Sequence, residues 1–277
     1  MSMNSFHARQ GGQPQDPKDK PVKRPVDRGG LLRADALLLQ CGQASSRTHA
    51  QKLIAAGRVT VDGVSVTKPS LTLPPDTVLI VATDENDRYV SRGGLKLAGA
   101  LEKTGLTPAG CNCLDVGQST GGFSDCLLQS GAAQVVGVDV GHGQLHGKLK
   151  NDQRIIALEG INCRALSDTD LGTAFPERGF DLIVGDVSFI SMALIMPQLP
   201  LLLSADGSLL LLIKPQFEVG PAHIGKGGIV RDTGLYAGLE QQFREISKNL
   251  GLTVKGWFDS PITGGDGNRE FFIWLKK

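Results

Sequence analysis

The sequence predicts an α/β protein in which a Rossmann-like, mostly parallel sheet of seven strands is preceded by a small α+β unit. Three observations carry that expectation. From residue 92 onward, apolar strand-like runs alternate with helical stretches, the pattern of a parallel sheet covered by helices. A glycine-rich segment, DVGQSTGGF from Asp115 to Phe123, follows one of those runs and opens a helix. Ahead of both, residues 31–83 hold a separate helix–helix–hairpin pattern with its own apolar positions. A length of 277 residues suits one core of ordinary size plus such an appendage.

Residues 1–30 are rich in Gln, Pro, Lys and Asp and nearly free of large apolar side chains, so they cannot offset the entropy of ordering. A disordered, solubilising tail is expected there. The next unit opens with a short helix around Arg33–Leu39. A second helix starts at Ser45 or Ser46, either able to cap it, turns Ala50, Leu53 and Ile54 inward and ends at Gly57. In VTVDGVSV, Val59–Val66, the Asp62-Gly63 pair tolerates the positive φ angles of a type I′ hairpin turn. A strand over Thr77–Val81 closes the unit, and residues 84–91, beginning with the polar run Asp84–Asp87, are expected to link it to the domain 92–277. The seven strands of that domain are expected at 112–116, 134–138, 154–158, 180–184, 208–213, 252–258 and 270–275, with the last antiparallel.

Charge and cysteine content exclude several classes. With 29 basic and 28 acidic side chains, any nucleic-acid affinity must come from local patches. No apolar run approaches the roughly 18 residues of a membrane helix, and the opening MSMNSFHARQ lacks a secretory hydrophobic stretch. Five cysteines without CxxC spacing fit reduced thiols in a cytoplasmic protein better than disulfides or zinc. His142 and His146 stand four apart with no third ligand nearby, so no metal is expected.

The glycine-rich segment reads as a nucleotide site. Asp115 ends the first strand, Gly117, Gly121 and Gly122 allow close backbone approach, and the helix from Phe123 offers unpaired N–H groups. The next strand delivers Asp139 where an acid can hold ribose hydroxyls. The order Asp-x-Gly-x-x-x-Gly-Gly is the methyltransferase form and differs from the pyrophosphate fingerprint GxGxxG, so S-adenosyl-L-methionine is the expected cofactor. Ser119, Thr120 and Val140 accompany these residues, and Glu159 and Asn162 are candidates for the adenine pocket. Four further polar residues fall at strand ends or site-facing positions: Lys96, Asp186, Lys214 and Glu270, with Asp186 also a cofactor candidate.

Two resemblances extend this reading. SRTHAQKLIAAGRVTVDG resembles the ribosomal-protein-S4-like RNA-binding domain, which implies that Arg47, Lys52, Arg58 and Lys68, with Arg92 beyond them, meet RNA phosphates. YVSRGGLKL, LDVGQSTGGFSDCLL, VDVGHGQL, DVSFIS, IKPQFE, GKGGIVRD and SPITGGDGNREF are together similar to the TlyA-type haemolysin and ribosomal RNA methyltransferase family, whose catalytic domain is similar to FtsJ-type 2′-O-methyltransferases. The resemblance implies a seven-stranded methyltransferase sheet, a catalytic tetrad at Lys96, Asp186, Lys214 and Glu270, and methylation of cytidine ribose 2′-hydroxyls in 16S or 23S ribosomal RNA. Ribosomal RNA or ribosomal subunits are then the partners.

Lys214 is the candidate base, provided it can shed its proton: desolvation and Lys96 oppose its charge, whereas Asp186 and Glu270 favour it. Gln118, where a small residue is usual, and Gly160-Ile161 depart from the family pattern. Gly225–Gly228 is read as a loop able to close over RNA. An RNA-binding regulator with an inactive fold is opposed by the intact tetrad, and a pore-forming haemolysin by the lack of any membrane-spanning segment.

Overall fold

The computed structural model describes residues 30–44, 46–84 and 87–277, so the expected tail lies, but for Gly30, outside the described residues, as does Ser45. The chain divides into two compact units between Thr83 and Asp84.

In the first unit, β1 (Leu32–Arg33), α1 (Ala34–Gln40), α2 (Arg47–Ala55), β2 (Val59–Val61), β3 (Val64–Ser65), β4 (Thr72–Leu73) and β5 (Leu79–Val81) follow in order. Ser46 caps α2, its Oγ accepting from the His49 N–H at 3.1 Å. Ala50, Leu53 and Ile54 turn inward onto Leu37 and Leu38 of α1. Asp62 and Gly63 take φ of 49° and 79°, the type I′ turn that joins β2 to β3. The third strand of this sheet begins at Leu79, two residues later than expected, because the Thr77 N–H is used in a turn to the Pro74 carbonyl. β1 and β4 pair with each other in a separate ribbon two residues long. Such short strands carry no periodicity and were not expected.

The second unit opens with α3 (Gly93–Thr104), followed by β6 (Asn112–Val116), α4 (Gly122–Gln129), β7 (Gln134–Asp139), β8 (Ile155–Glu159), α5 (Asp168–Leu171) and β9 (Phe180–Gly185). α6 (Leu199–Leu202), β10 (Leu203–Ile213), α7 (Leu235–Asn249), β11 (Thr253–Asp259) and β12 (Phe271–Lys276) complete it. The seven strands form one sheet in the order β11-β12-β10-β9-β6-β7-β8, with β12 antiparallel to both neighbours and the other strand pairs parallel. Leu209–Ile213 is buried throughout, as a central strand covered on both faces must be.

Strand order reverses between β6 and β9, and the crevice beyond their carboxyl ends is where an α/β sheet takes a ligand. Tyr89 and Val90, from the segment expected to link the units, belong to the second. The Tyr89 ring packs into its core, and the Val90 N–H donates to Asp125 Oδ2 at 2.8 Å.

Candidate active site

Gly117, the first residue after β6, turns the chain over the switch point with φ of 84°. A Cβ there would stand 2.8 Å from the Asp186 carbonyl oxygen and 2.9 Å from Val187, so only glycine lets the loops after β6 and β9 approach this closely. Asp139, at the end of β7, has both carboxylate oxygens fixed by the loop: Oδ2 accepts from the Ser119 N–H at 2.8 Å and Oδ1 from the Gly141 N–H at 2.7 Å. Lone pairs remain on both oxygens for hydroxyl donors. Beside it lies a cleft of about 650 Å³ that includes Gly117, Ser119, Asp139 and Val140 and reaches Asn162 and Asp186. Cys163, Val187, Ile190 and Ile195 give it an apolar side.

Asp115 does not line this cleft but lies beneath it, fully shielded from water. Its Oδ2 accepts from Ser124 Oγ at 2.7 Å, which in turn accepts from Gln118 Nε2 at 2.9 Å, while Oδ1 has no hydrogen-bond partner. Burial raises the Asp115 carboxyl to about 7, against the Ser124 hydrogen bond and with the nearby Asp186 adding to the rise. The unusual Gln118 therefore does not face the cleft: it folds inward across the bare face of Gly137, where a Cβ would stand 1.8 Å from Nε2.

The other expected cofactor residues separate. Thr120, Gly122 and Phe123 line a smaller hollow of about 140 Å³ that joins the glycine loop to Asp186 and Lys214. Gly121 packs downward against Leu145 and Leu149. Glu159 is exposed and spends one oxygen on the Gly143 N–H, at 2.8 Å, outside the residues that line the cleft. Asn162 lines the cleft but uses its side-chain oxygen to cap the turn at Arg164.

The four expected catalytic residues form two ion pairs. Lys96 Nζ donates to Glu270 Oε2 at 2.6 Å, both side chains almost wholly buried. Lys214 Nζ lies 2.6 Å from Asp186 Oδ1, in contact but outside hydrogen-bond alignment, and donates instead to Ser188 Oγ at 2.8 Å. The pairs sense each other: burial raises the Glu270 carboxyl, Lys96 and then Lys214 lower it, and Asp186 raises it again. Lys96, Lys214 and Glu270 line a second pocket of about 450 Å³, while Asp186 faces the cofactor-sized cleft. Lys214 also lines the hollow by the glycine loop, so its ammonium stands where the two spaces join.

This geometry, a cleft beside Asp139 and a second pocket with a Lys-Asp-Lys-Glu array between them, occurs in a chain whose residues 89–277 match the FtsJ-like methyltransferase family and whose residues 32–79 match the S4 domain. The chain belongs to the FtsJ-like methyltransferases. The 16S/23S rRNA (cytidine-2′-O)-methyltransferase TlyA of Mycobacterium tuberculosis (strain ATCC 25618 / H37Rv) is 44% identical over 244 residues, covering 88% of this chain and 89% of its own. Hemolysin A of Brachyspira hyodysenteriae is 36% identical over 250 residues, 87% of this chain and 98% of its own. A solved structure from Streptococcus thermophilus superposes with a TM-score of 0.68 at 38% identity, over 90% of this chain and 89% of that one. Among the described residues, no helix is long and apolar enough to cross a membrane.

The S4 unit commits two of its expected RNA-facing arginines to its own fold. Arg47 Nη2 contacts both oxygens of the buried Asp35 at 3.2 Å, and Arg58 Nη2 donates to the Ala82 carbonyl at 2.6 Å. Lys52 and Lys68 are exposed. In the FtsJ-like unit, Arg92 is exposed and donates to the Thr263 carbonyl at 3.1 Å.

The family-like motifs DVSFIS, IKPQFE and SPITGGDGNREF also supply residues of the FtsJ-like site that were not among the expected ones. Phe189 is 92% exposed, holds φ of 63°, and leans on Phe217 with ring centroids 5.4 Å apart. A bulky residue in the left-handed region costs about 1–2 kcal/mol, so the loop is shaped to present this ring. Glu218 ties the loops after β9 and β10 together, accepting from Ser191 Oγ and from the Met192 N–H at 2.7 Å. The Gly225–Gly228 loop is pinned as well as glycine-rich: Asn268 Nδ2 donates to the Gly228 carbonyl at 2.9 Å.

Proposed function

We propose that this protein transfers the methyl group of S-adenosyl-L-methionine to the ribose 2′-hydroxyl of a cytidine in 16S or 23S ribosomal RNA. The observation that carries the proposal is the placement of Lys214 at the join of the two spaces, with Asp186 on the cofactor side and Lys96 and Glu270 on the other. The cofactor supplies a methyl on a sulfonium, already an activated electrophile, so the protein has to align the attacking oxygen and remove its proton.

Asp139, with both oxygens oriented by backbone N–H groups, holds ribose hydroxyls of the cofactor. The glycine loop admits the rest of it, and Asp115 with its unpartnered oxygen supports the loop from below. Two lysines and two carboxylates sum to zero charge. If Lys214 enters the step neutral, taking the hydroxyl proton forms an ammonium 2.6 Å from Asp186, which restores that balance. The Lys96–Glu270 pair stays in place and orients the ribose. The exposed Phe189 ring, propped at 49° against Phe217, offers an apolar face on which an unstacked base can rest.

The exposed Lys52 and Lys68 of the S4 domain, with Arg92, would supply sequence-independent phosphate contacts, while Arg47 and Arg58 hold the domain's own fold. Mapping 2′-O-methylation in ribosomal RNA from cells with and without this protein tests the proposal. Loss of a cytidine methylation is expected, and unchanged ribosomal RNA contradicts the assigned substrate.

A further inference from the structure

The pocket on the acceptor side of Lys214 contains a polar atom that the catalytic tetrad leaves unused. Gln216, two residues beyond Lys214, lines that pocket with Phe189, Phe217 and Asp266, and its Oε1 is buried with no hydrogen-bond partner. A buried amide oxygen without a donor is costly, and such exceptions in a folded protein call for an explanation.

The orientation of this amide is dictated from the backbone upward. Asn268 Oδ1 accepts from the Val230 N–H at 3.0 Å, which assigns oxygen to that position and leaves Nδ2 to donate to the Gly228 carbonyl at 2.9 Å and to Asp266 Oδ2 at 2.8 Å. The Asn268 N–H donates to Asp266 Oδ1 at 3.1 Å. Burial raises the Asp266 carboxyl, but these hydrogen bonds from Asn268 lower it on balance, so it stays ionised and can only accept. The end of Gln216 that meets it, at 3.3 Å from Oδ2, must therefore be the NH₂ group. Backbone fixes Asn268, Asn268 fixes Asp266, Asp266 fixes Gln216, and the last link ends in an acceptor.

We infer that Gln216 Oε1, oriented by Asp266, is a specificity determinant that accepts a hydrogen bond from the exocyclic N4 amine of the target cytosine. Uracil presents an acceptor, O4, at the same place, and two facing acceptors repel. The inference rests on the cytidine reading above and adds the residue that enforces it. Asp266 is a positioning residue: it touches no reacting atom and acts by holding the amide one way round.

The test uses full-length protein, labelled S-adenosyl-L-methionine, and ribosomal subunits from cells lacking the protein. The subunits carry either cytidine or, by mutation of the ribosomal RNA, uridine at the mapped position. Wild type should prefer cytidine. Gln216→Leu should lower the cytidine rate roughly 10- to 100-fold and leave the slow uridine rate unchanged, collapsing the preference, with cofactor affinity by calorimetry unaltered. Asp266→Ala frees the amide to turn its NH₂ outward, so the uridine rate should rise while the cytidine rate falls.

A merely structural role would lower both rates together in both variants, and an unchanged cytidine-to-uridine ratio in Gln216→Leu and Asp266→Ala overturns the inference. If wild type itself modifies no cytidine, or favours uridine, the substrate reading fails and takes the inference with it. A cytidine-preferring wild type with unaltered variants removes the inference alone.

Discussion

Each unit of this protein buries an aspartate completely, and the two are treated in opposite ways. Asp35 in the S4 domain is enclosed by Arg33, Arg47 and Gln51. Burial alone would raise its carboxyl, but hydrogen bonds from those three side chains hold it at about 2. Asp115 in the FtsJ-like unit receives Ser124 and no cation, and its carboxyl rises to about 7. The first aspartate is satisfied by its own domain and serves as a structural keystone. The second keeps an unpartnered oxygen at the end of the strand that leads into the glycine loop, walled off from the cleft and from water. The contrast separates a domain built to present a fixed surface from one that stores unsatisfied polarity at its site.

The largest expected effect lies in the FtsJ-like unit. Lys214→Ala should retain cofactor binding by calorimetry and lose methyl transfer by about 10²- to 10⁴-fold, the range for a general base. Full activity in a folded variant rejects Lys214 as the base.

Next, Asp35→Ala should destabilise the S4 domain by about 2 kcal/mol, less than for a fully buried pair because Arg33 and Arg47 remain half exposed. Hydrogen exchange should quicken in residues 30–83 and not in the FtsJ-like unit; quickening in both would remove the distinction between them.

The two aspartates also titrate with opposite sign. The folded value of Asp35 lies below the ordinary carboxyl value of 3.8, so its contribution is present above about pH 4 and is lost as pH falls toward 2. Asp115 lies above 3.8, so folding favours its protonated form and stability declines as pH rises from about 4 to about 7. The limiting slope is about 1.4 kcal/mol per pH unit. Asp115→Asn should flatten that decline in denaturant titrations of the cofactor-free protein, and an unaltered slope would show that Asp115 is not its source.

The smallest effects belong to the exposed lysines. Lys52→Ala and Lys68→Ala should each weaken RNA binding a few-fold, with the slope of log affinity against log salt falling by about one. An unchanged slope would place these side chains away from phosphate.

Much of this architecture was legible because its strands are buried on both faces and read as apolar runs separated by helix. The Asp62-Gly63 turn and the Ser46 cap were legible for a similar reason, since each residue type has a specific backbone use. The tetrad was reached through resemblance, and its pairing, Lys96 with Glu270 and Lys214 with Asp186, depends on which loops the sheet brings together. Phe189, Gln216, Asp266 and Asn268 lie within the motifs DVSFIS, IKPQFE and SPITGGDGNREF but outside the strands and α-helices, where no periodicity shows which side chain of a motif faces the site. Gln118 is instructive. It broke the expected pattern of the glycine loop, yet it occupies the space that Gly137 leaves bare on the adjacent strand, and an interior strand glycine is the signal that would have pointed to such an approach.

Purified full-length protein given labelled S-adenosyl-L-methionine and unmethylated ribosomal subunits, followed by digestion to nucleosides, tests the central claim most directly. The label should be recovered as 2′-O-methylcytidine with wild type and be absent with Lys214→Ala that still binds cofactor. Label on a base, or on cytidine ribose at full yield with Lys214→Ala, would contradict ribose 2′-O-methylation by this tetrad.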